Sequence, residues 1–269
     1  MTMKPQDLRP PAVAGLFYPE DAEELRRTVA AFVGPANAAR PRLGVVAPHG
    51  GYVYSGKVAG KVYATTEVPE RVVVLAPNHT GRGEERALWA RGALAVPGGS
   101  VPVDEQLAAW LLDAHMASDD QEAHRREHAL EVQLPFLLAR RPTIRVTPLV
   151  LGRLDYDECQ ALGEALAAVA PPGTLVVASS DMNHYLDDQT TRVRDRLALA
   201  PLLALDARGL YETVERERIS MCGFIPTTVM LAYARARGAQ SAELVDYATS
   251  GDAFGERNRV VGYAGVVVN

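Results

Sequence analysis

The sequence predicts an α/β fold in which a single domain has a mostly parallel central sheet flanked by helices. Short apolar runs such as VVVLA and LVVAS alternate with longer segments whose apolar residues recur at helical spacing. Such runs are typical of buried parallel strands, and their alternation with helices is typical of layered α/β proteins. The chain has 269 residues, 48% of them hydrophobic, without a break in composition. We therefore expect one domain over residues 1–269, with residues 1–10 flexible.

Strands are predicted where a short apolar run lies between turn-forming residues, and helices where apolar residues recur every three or four positions. The predicted strands are residues 43–47, 71–76, 144–151, 175–179, 243–247 and 260–268. The predicted helices are residues 21–33, 56–63, 104–114, 156–169, 190–205 and 227–237. The first two strands and the helix between them fit within about thirty residues, which is the length of a βαβ unit.

Composition excludes several classes of protein. The formal net charge of −5 argues against a broad nucleic-acid-binding surface. No apolar run approaches the roughly 18 residues of a membrane span. The opening MTMKPQDLRP has no apolar centre, so no signal peptide is expected and the protein is expected to be cytoplasmic. With only Cys159 and Cys222, a disulfide scaffold is not expected.

A histidine follows three of the predicted strands within a few residues. His49 follows GVVAP, His79 follows VVVLAPN, and His184 follows LVVASSDMN. Ligands of open α/β sheets bind outside the carboxyl ends of the strands, so these side chains can converge there. One such histidine alone is better explained as a loop residue that bonds the backbone. Three at equivalent positions favour a shared metal site, because imidazole is the commonest metal ligand.

Cys222 is the best candidate for an anionic ligand. It lies in ISMCGFIPTTVML, just before a predicted helix, where the helix dipole favours thiolate over thiol. The alternative is a buried thiol that only packs. Cys159 lies inside a predicted helix and is expected to be structural.

Three further groups of residues have weaker support. Asp181 precedes His184 by three residues and could orient it for acid/base chemistry. Serine hydrolysis by Ser179 or Ser180 is disfavoured because the chain has no G-x-S-x-G motif. In EHALEVQLPFL, His128 and Glu131 would share one helix face, with a surface or capping role as reasonable as a role in the active site. The remaining histidines, which are expected at the surface, are His115 and His124.

Taken together, five motifs resemble those of the Memo family, also called AmmeMemoRadiSam system protein B. In chain order they are APHGGYVYSG, APNHTG, EHALEVQLPFL, SSDMNHY and MCGF. The opening AVAGLFYP is also similar to that family's N-terminal motif, so the resemblance runs from about residue 11 to the C-terminus. It implies a fold like that of the class III extradiol dioxygenases, which are non-haem iron enzymes that cleave catechol-type rings.

The resemblance also implies roles for individual residues. His49 and His79 would be metal ligands, and Cys222 would stand where the dioxygenases carry a glutamate ligand. His184 would match their catalytic histidine, with Asp181 in the same pocket. The pair that would line the pocket is His128 and Glu131. The cysteine departs from the dioxygenase pattern, and its softer ligand set would accept copper as well as iron(II), with zinc possible.

We therefore expect a metal-dependent oxidoreductase that acts on a small molecule, with no nucleic acid or membrane as partner. Two alternatives remain open: a non-catalytic adaptor that binds a metal or a peptide, and a zinc-dependent hydrolase. The resemblance further implies two protein partners, a radical S-adenosylmethionine protein and an AMMECR-type protein, since bacterial and archaeal members often accompany them.

Overall fold

A computed structural model describes residues 7–35 and 39–269 of the chain. The strands of these residues are β1 (Leu8–Arg9), β2 (Gly44–Ala47), β3 (Arg71–Pro77), β4 (Arg86–Leu88), β5 (Ala93–Val96), β6 (Gly99–Pro102), β7 (Ser118–Asp119), β8 (Arg145–Leu151), β9 (Leu175–Ser179), β10 (His184–Leu186), β11 (Ala242–Thr249) and β12 (Val260–Val268). The helices are α1 (Ala22–Val33), α2 (Tyr52–Thr65), α3 (Glu105–Asp113), α4 (Leu134–Arg140), α5 (Tyr156–Val169), α6 (Asp188–Leu203), α7 (Ala207–Glu217), α8 (Phe224–Ala236) and α9 (Ser250–Phe254).

The strands form a large mixed sheet and a small one. In the nine-stranded sheet the order is β10-β12-β2-β9-β3-β8-β4-β7, with β11 paired to β12. The four central strands β2, β9, β3 and β8 are parallel, whereas β12 and β4 join them antiparallel. The α/β prediction is therefore confirmed, with the parallel part confined to the centre of the sheet. A three-stranded sheet, β1-β5-β6, lies apart from it.

The central strands are apolar along their whole length because both of their faces are covered. Every residue of β2 and β9 is buried. Helix α5 packs closely on α8, since a Cβ at Gly163 would lie 2.6 Å from the Cβ of Ala232. The parallel strands β2, β3 and β9 all end at one edge, and directly after them come four of the predicted site residues, His49, His79, Asp181 and His184. Among the described residues, no helix combines the length and the apolar character needed to cross a bilayer.

Several element boundaries match the sequence prediction and others do not. The bounds of β9, β12 and α5 are those predicted. Helix α2 begins at Tyr52, four residues before the predicted start, because the backbone N–H of Tyr54 and that of Ser55 already bond to the carbonyl of Gly51. The short strands β1, β4 to β7 and β10 are not predicted, since two- to four-residue strands carry little periodicity. The helices α7 and α9 are not predicted either.

The N-terminal segment is held near Arg9 by a buried ion pair, and the expected flexibility of residues 1–10 stays a prediction for those outside the described part. Residues 1–6 lie outside the described part, but Arg9 is only 1% exposed and its guanidinium lies 2.6 Å from the fully buried carboxylate of Glu131. The same carboxylate accepts hydrogen bonds from the backbone N–H groups of Ala12 and Val13 and from the hydroxyl of Tyr18. These contacts fix the AVAGLFY segment against the domain.

Replacing Glu131 by glutamine is expected to lower the free energy of unfolding by about 3–5 kcal/mol, because the buried Arg9 guanidinium loses its counter-charge. Urea denaturation measures the change. The control, Glu23→Gln, removes a carboxylate from an exposed pair with Arg26, and solvent screening should leave stability nearly unchanged. Equal stability of the two variants would contradict the role given to the buried pair.

Candidate functional site

His49 lies in the loop between β2 and α2, and hydrogen bonds set the tautomer of its ring. Its ring is 1% exposed, and its Nδ1 lies 3.0 Å from the Oγ of Ser179. Ser179 donates its own proton to the carbonyl of Ala129 and accepts from the side-chain amide of Gln133, so the ring must donate through Nδ1. Burial lowers the pKa of His49 well below its usual value. The ring is therefore neutral, and its Nε2 carries the lone pair that a metal needs.

His79, in the loop after β3, is oriented by Glu127. One carboxylate oxygen lies 2.8 Å from Nδ1 of the ring, and the other accepts the backbone N–H of the same histidine. Burial acts to lower the pKa of His79, but the hydrogen bond and charge of Glu127 outweigh it and raise the pKa. Burial raises the pKa of Glu127, but its contacts with His79 outweigh this and lower it to about 2. The carboxylate thus stays ionised and leaves Nε2 of His79 free.

His128 joins these two rings in a cluster. Its ring centroid lies 4.6 Å from that of His79 and 5.4 Å from that of His49. One ring nitrogen from each of the three lies within 4.8 Å of the others, which is close enough for a shared ion after small movements, since metal–nitrogen bonds are about 2 Å. Burial lowers the pKa of His128 although the Glu127 carboxylate opposes it. The site therefore offers three imidazoles, one more than the two expected as ligands.

Cys222 lies beside the cluster, just before α8 as predicted. Its Sγ is 3.1 Å from Nε2 of His49, and the backbone N–H of Asp181 donates to it at 3.3 Å. The helix start was expected to favour thiolate. Instead, burial raises the pKa of the Cys222 thiol well above its usual value, and the negative charge of Asp181 adds to this. Desolvation outweighs the helix dipole, so the protein alone favours the thiol.

Asp181 is buried in the same site but does not orient His184, which corrects the sequence-based expectation. Its Oδ1 accepts the backbone N–H groups of His49 and Gly50 at 2.7 and 3.2 Å. Burial raises the pKa of Asp181, while these two hydrogen bonds oppose the rise. The carboxylate is turned toward the loop after β2, and its contribution is to hold the backbone of that loop.

His184 is oriented by Ser220 instead. The Nδ1 of the ring lies 2.8 Å from the carbonyl oxygen of Ser220, which can only accept, so the ring donates through Nδ1. The backbone N–H of His184 donates to the hydroxyl of the same serine, and Asn183 accepts from that hydroxyl in turn. With Nδ1 engaged in this way, Nε2 is the nitrogen that would accept a proton from a substrate.

Of the predicted site residues, all except Glu131 line one cavity of about 630 Å³. Its polar lining consists of His49, His79, His128, Asp181, His184, Ser220 and Cys222. Its aromatic lining includes Phe17, Tyr54, Tyr185 and Tyr263. The cavity is large enough for a small molecule that touches both kinds of residue.

Two sequence predictions near this cavity are corrected by the structure. Glu131 belongs to a short 3₁₀ turn, Glu131–Gln133, that begins after His128, so the two do not share a helix face. Its carboxylate points to Arg9 and away from the cavity. His124 was expected at the surface, as was His115, but it is only 1% exposed and packs against Trp89 in the core. His115 is exposed and Cys159 is buried, as expected.

The sequence analysis missed four residues that orient the candidate ligands. Glu127, Gln133, Ser179 and Ser220 all bond to a histidine or to its partner. Glu127 directly precedes a candidate histidine in EHALEVQ, and Ser179 lies in SSDMNHY, so both were within the motifs considered. Their role depends on contacts across 36 to 130 residues, which spacing alone does not indicate.

The family model of Memo-like proteins matches residues 9–267. A MEMO1 family protein of Methanopyrus kandleri is 42% identical over 277 residues, covering 96% of this chain and 98% of the relative. The chain belongs to the Memo-like family. MEMO1 family proteins of Archaeoglobus fulgidus and Aquifex aeolicus are 40% and 38% identical, each covering 97% of this chain.

The resemblance to the Memo family that the motifs indicated is therefore confirmed. A solved structure of an uncharacterized protein from Escherichia coli K12 is similar in fold, with a TM-score of 0.53 and 17% identity. The match covers 83% of this Memo-like chain and 98% of the solved chain. At that identity the likeness concerns the fold alone.

Replacing Glu127 by glutamine is expected to lower the pKa of His79, because burial then acts without the opposing carboxylate. An NMR titration of the ring protons measures the shift. Glu122→Gln serves as the control, since that exposed carboxylate pairs with Arg82 and Arg125 outside the cavity. An unchanged pKa of His79 in Glu127→Gln would show that Glu127 does not orient the ring.

Proposed function

We propose that this Memo-like chain is a metal-dependent oxidoreductase that binds iron(II) or copper at the imidazole cluster and acts on a small molecule. The observation that carries the proposal is the shared tautomer of His49 and His79. In each ring, Nδ1 takes part in a buried hydrogen bond, and Nε2 remains free beside the same cavity. This is the arrangement of metal-binding histidines, whose second nitrogen is held by a carboxylate or another acceptor.

The donor set fits such an ion. His49 and His79 would hold it through Nε2, and Cys222 would provide the anionic ligand that two neutral imidazoles lack. The thiol proton lies between Sγ of Cys222 and Nε2 of His49, which are 3.1 Å apart. A cation that binds there would displace this proton. His128 stands next to both rings as a further donor. Imidazole and thiolate ligands suit copper and iron, whereas magnesium and calcium are bound by oxygen ligands.

A bound iron or copper ion would supply the electron-transfer chemistry of the reaction. The chain's own residues would bind, orient and exchange protons with the substrate. His184, with Nε2 unprotonated and Nδ1 fixed on Ser220, would accept a proton from a substrate hydroxyl and later return it. Asp181 would keep the loop of His49 in place through its two backbone contacts. The aromatic residues that line the cavity would limit the access of water.

A zinc-dependent hydrolase is the second candidate, because a cluster of three imidazoles is also a common zinc ligand set with an open position. In that case the same His184 would act on a water molecule. Elemental analysis after anaerobic purification separates the two functions, since iron or copper supports the first and zinc supports the second. If the chain contains none of these metals, the result would favour the non-catalytic adaptor.

Replacing His184 by alanine is expected to leave metal content nearly unchanged and to reduce oxygen consumption by roughly 100-fold or more, because only the general base is removed. The protein is loaded anaerobically with iron(II) or copper, and oxygen uptake is followed across a panel of reduced small molecules. The matched control, His115→Ala, removes an exposed imidazole and should change neither quantity.

Two results would contradict this role for His184. Loss of the metal in His184→Ala would make the histidine a ligand. Absence of oxygen uptake by the loaded parent protein over the whole panel would contradict the oxidoreductase itself.

A further inference from the structure

Tyr263 contributes a hydroxyl group to the cavity wall that the proposed chemistry has not used. The residue lies on β12, and its side chain is only 3% exposed. The neighbouring Gly262 exchanges backbone hydrogen bonds with the 182–183 segment, which precedes His184. The ring therefore faces the cavity from the strand next to the loop that carries the candidate base.

The absence of a side chain at Gly50 makes room for this ring. A Cβ at Gly50 would lie 2.9 Å from Cε1 and 3.0 Å from the hydroxyl oxygen of Tyr263, closer than real Cβ contacts. Gly50 directly follows His49, so the Tyr263 hydroxyl comes close to the backbone of the first candidate ligand. A glycine in the APHGG motif is thus explained by the close approach of a phenol.

The Tyr263 hydroxyl has no hydrogen-bond partner among residues 7–35 and 39–269, and its oxygen is not one of the fully buried unpaired atoms, so it reaches the cavity that the residue lines. Other buried tyrosines in the same core differ: Tyr52 donates to the carbonyl of Val132, and Tyr233 donates to that of Thr174. Burial raises the pKa of Tyr263, and the charge of Asp181 adds to the rise, so the phenol keeps its proton. A donor that faces the cavity without a partner in the protein is available to a ligand that enters it.

The aromatic lining of the cavity suits a flat ligand next to this donor. Tyr54 and Tyr185 border the cavity and are 42% and 62% exposed, although the Tyr54 ring also contacts Phe254 and Arg259 lies over the Tyr185 ring. Phe17 lines the cavity as well, with its ring centroid 4.6 Å from that of His128. A small planar molecule can therefore contact aromatic rings at the mouth while an oxygen atom reaches inward.

We propose that Tyr263 is a ligand-binding residue whose hydroxyl donates a hydrogen bond to an oxygen acceptor on a small, flat ligand in this cavity. The inference rests on the proposed function, because it takes the cavity of His49 and His184 as the reaction site. It adds the group that selects an oxygen-bearing ligand and fixes its orientation. A ligand without that acceptor would displace water from the hydroxyl and leave it unpaired, and such a mismatch gives a binding site its selectivity.

The test is the affinity for 4-nitrophenolate, a planar probe with one oxyanion, measured from its absorption or by calorimetry. Parent and Tyr263→Phe are compared as zinc-loaded proteins, because zinc supports no redox reaction. Losing one hydrogen bond to a charged acceptor is expected to weaken binding by roughly 10- to 100-fold. The control is Tyr233→Phe, which also loses a buried hydrogen bond but lies away from the cavity, and it should bind like the parent.

The outcomes separate this inference from the proposed function. Equal affinity of parent and Tyr263→Phe, or no binding of the probe by the parent, would overturn the role of Tyr263. The metal content of each sample is measured independently, so a failed metal site appears in the elemental analysis. The ratio of affinities between parent and variant, taken at equal metal content, reports on the hydroxyl alone.

Discussion

The buried carboxylate of Glu127 is the contact on which the candidate site most depends. It binds the ring and the backbone N–H of His79, accepts the N–H of Ala129, and lies 3.4 Å from the ring of His128. A buried ionised group persists only where several donors replace water, and here imidazole and backbone supply them. The orientation of two candidate ligands therefore follows from one side chain.

Glu127 is in turn fixed from the other end of the chain. The guanidinium of Arg9 donates to the carbonyls of His124 and Glu127, and its charge is balanced by Glu131. The N-terminal segment that this pair holds also carries Phe17, which packs on His128. The first strand is thus part of the site's support, although it lies in the small sheet and contributes no ligand.

Several groups of the candidate site have pKa values that differ from their usual values. Burial raises the pKa of Cys222 and of Asp181 and lowers that of His49, so burial opposes the charged form of each group. A cation would offset this effect for the two acids, because it stabilises thiolate and carboxylate, and it would bind the neutral imidazole. The cluster therefore has the electrostatic properties that the proposed metal site requires.

The sequence predicted the position of the site but not its internal contacts. Apolar runs that end in His49, His79 and His184 indicated a shared edge, because parallel strands end on the same side of a sheet. The direction of Glu131 could not be predicted, since its partner Arg9 is 122 residues away and the local pattern fits a cavity-facing residue equally well. The state of Cys222 failed for a similar reason: the helix start is visible locally, whereas desolvation depends on packing from Asp181 and His49.

The proposed site has one metal ion between His49 and His79, with Cys222 as its anionic ligand. X-ray absorption at the metal edge of the anaerobically loaded chain tests this ligand set. We expect imidazole nitrogen at about 2.0–2.1 Å and one sulfur at about 2.3 Å, with the sulfur lost in Cys222→Ser and kept in Cys159→Ser. A spectrum with nitrogen ligands alone, unchanged in Cys222→Ser and abolished by His128→Ala, would contradict it in favour of a site made of three imidazoles.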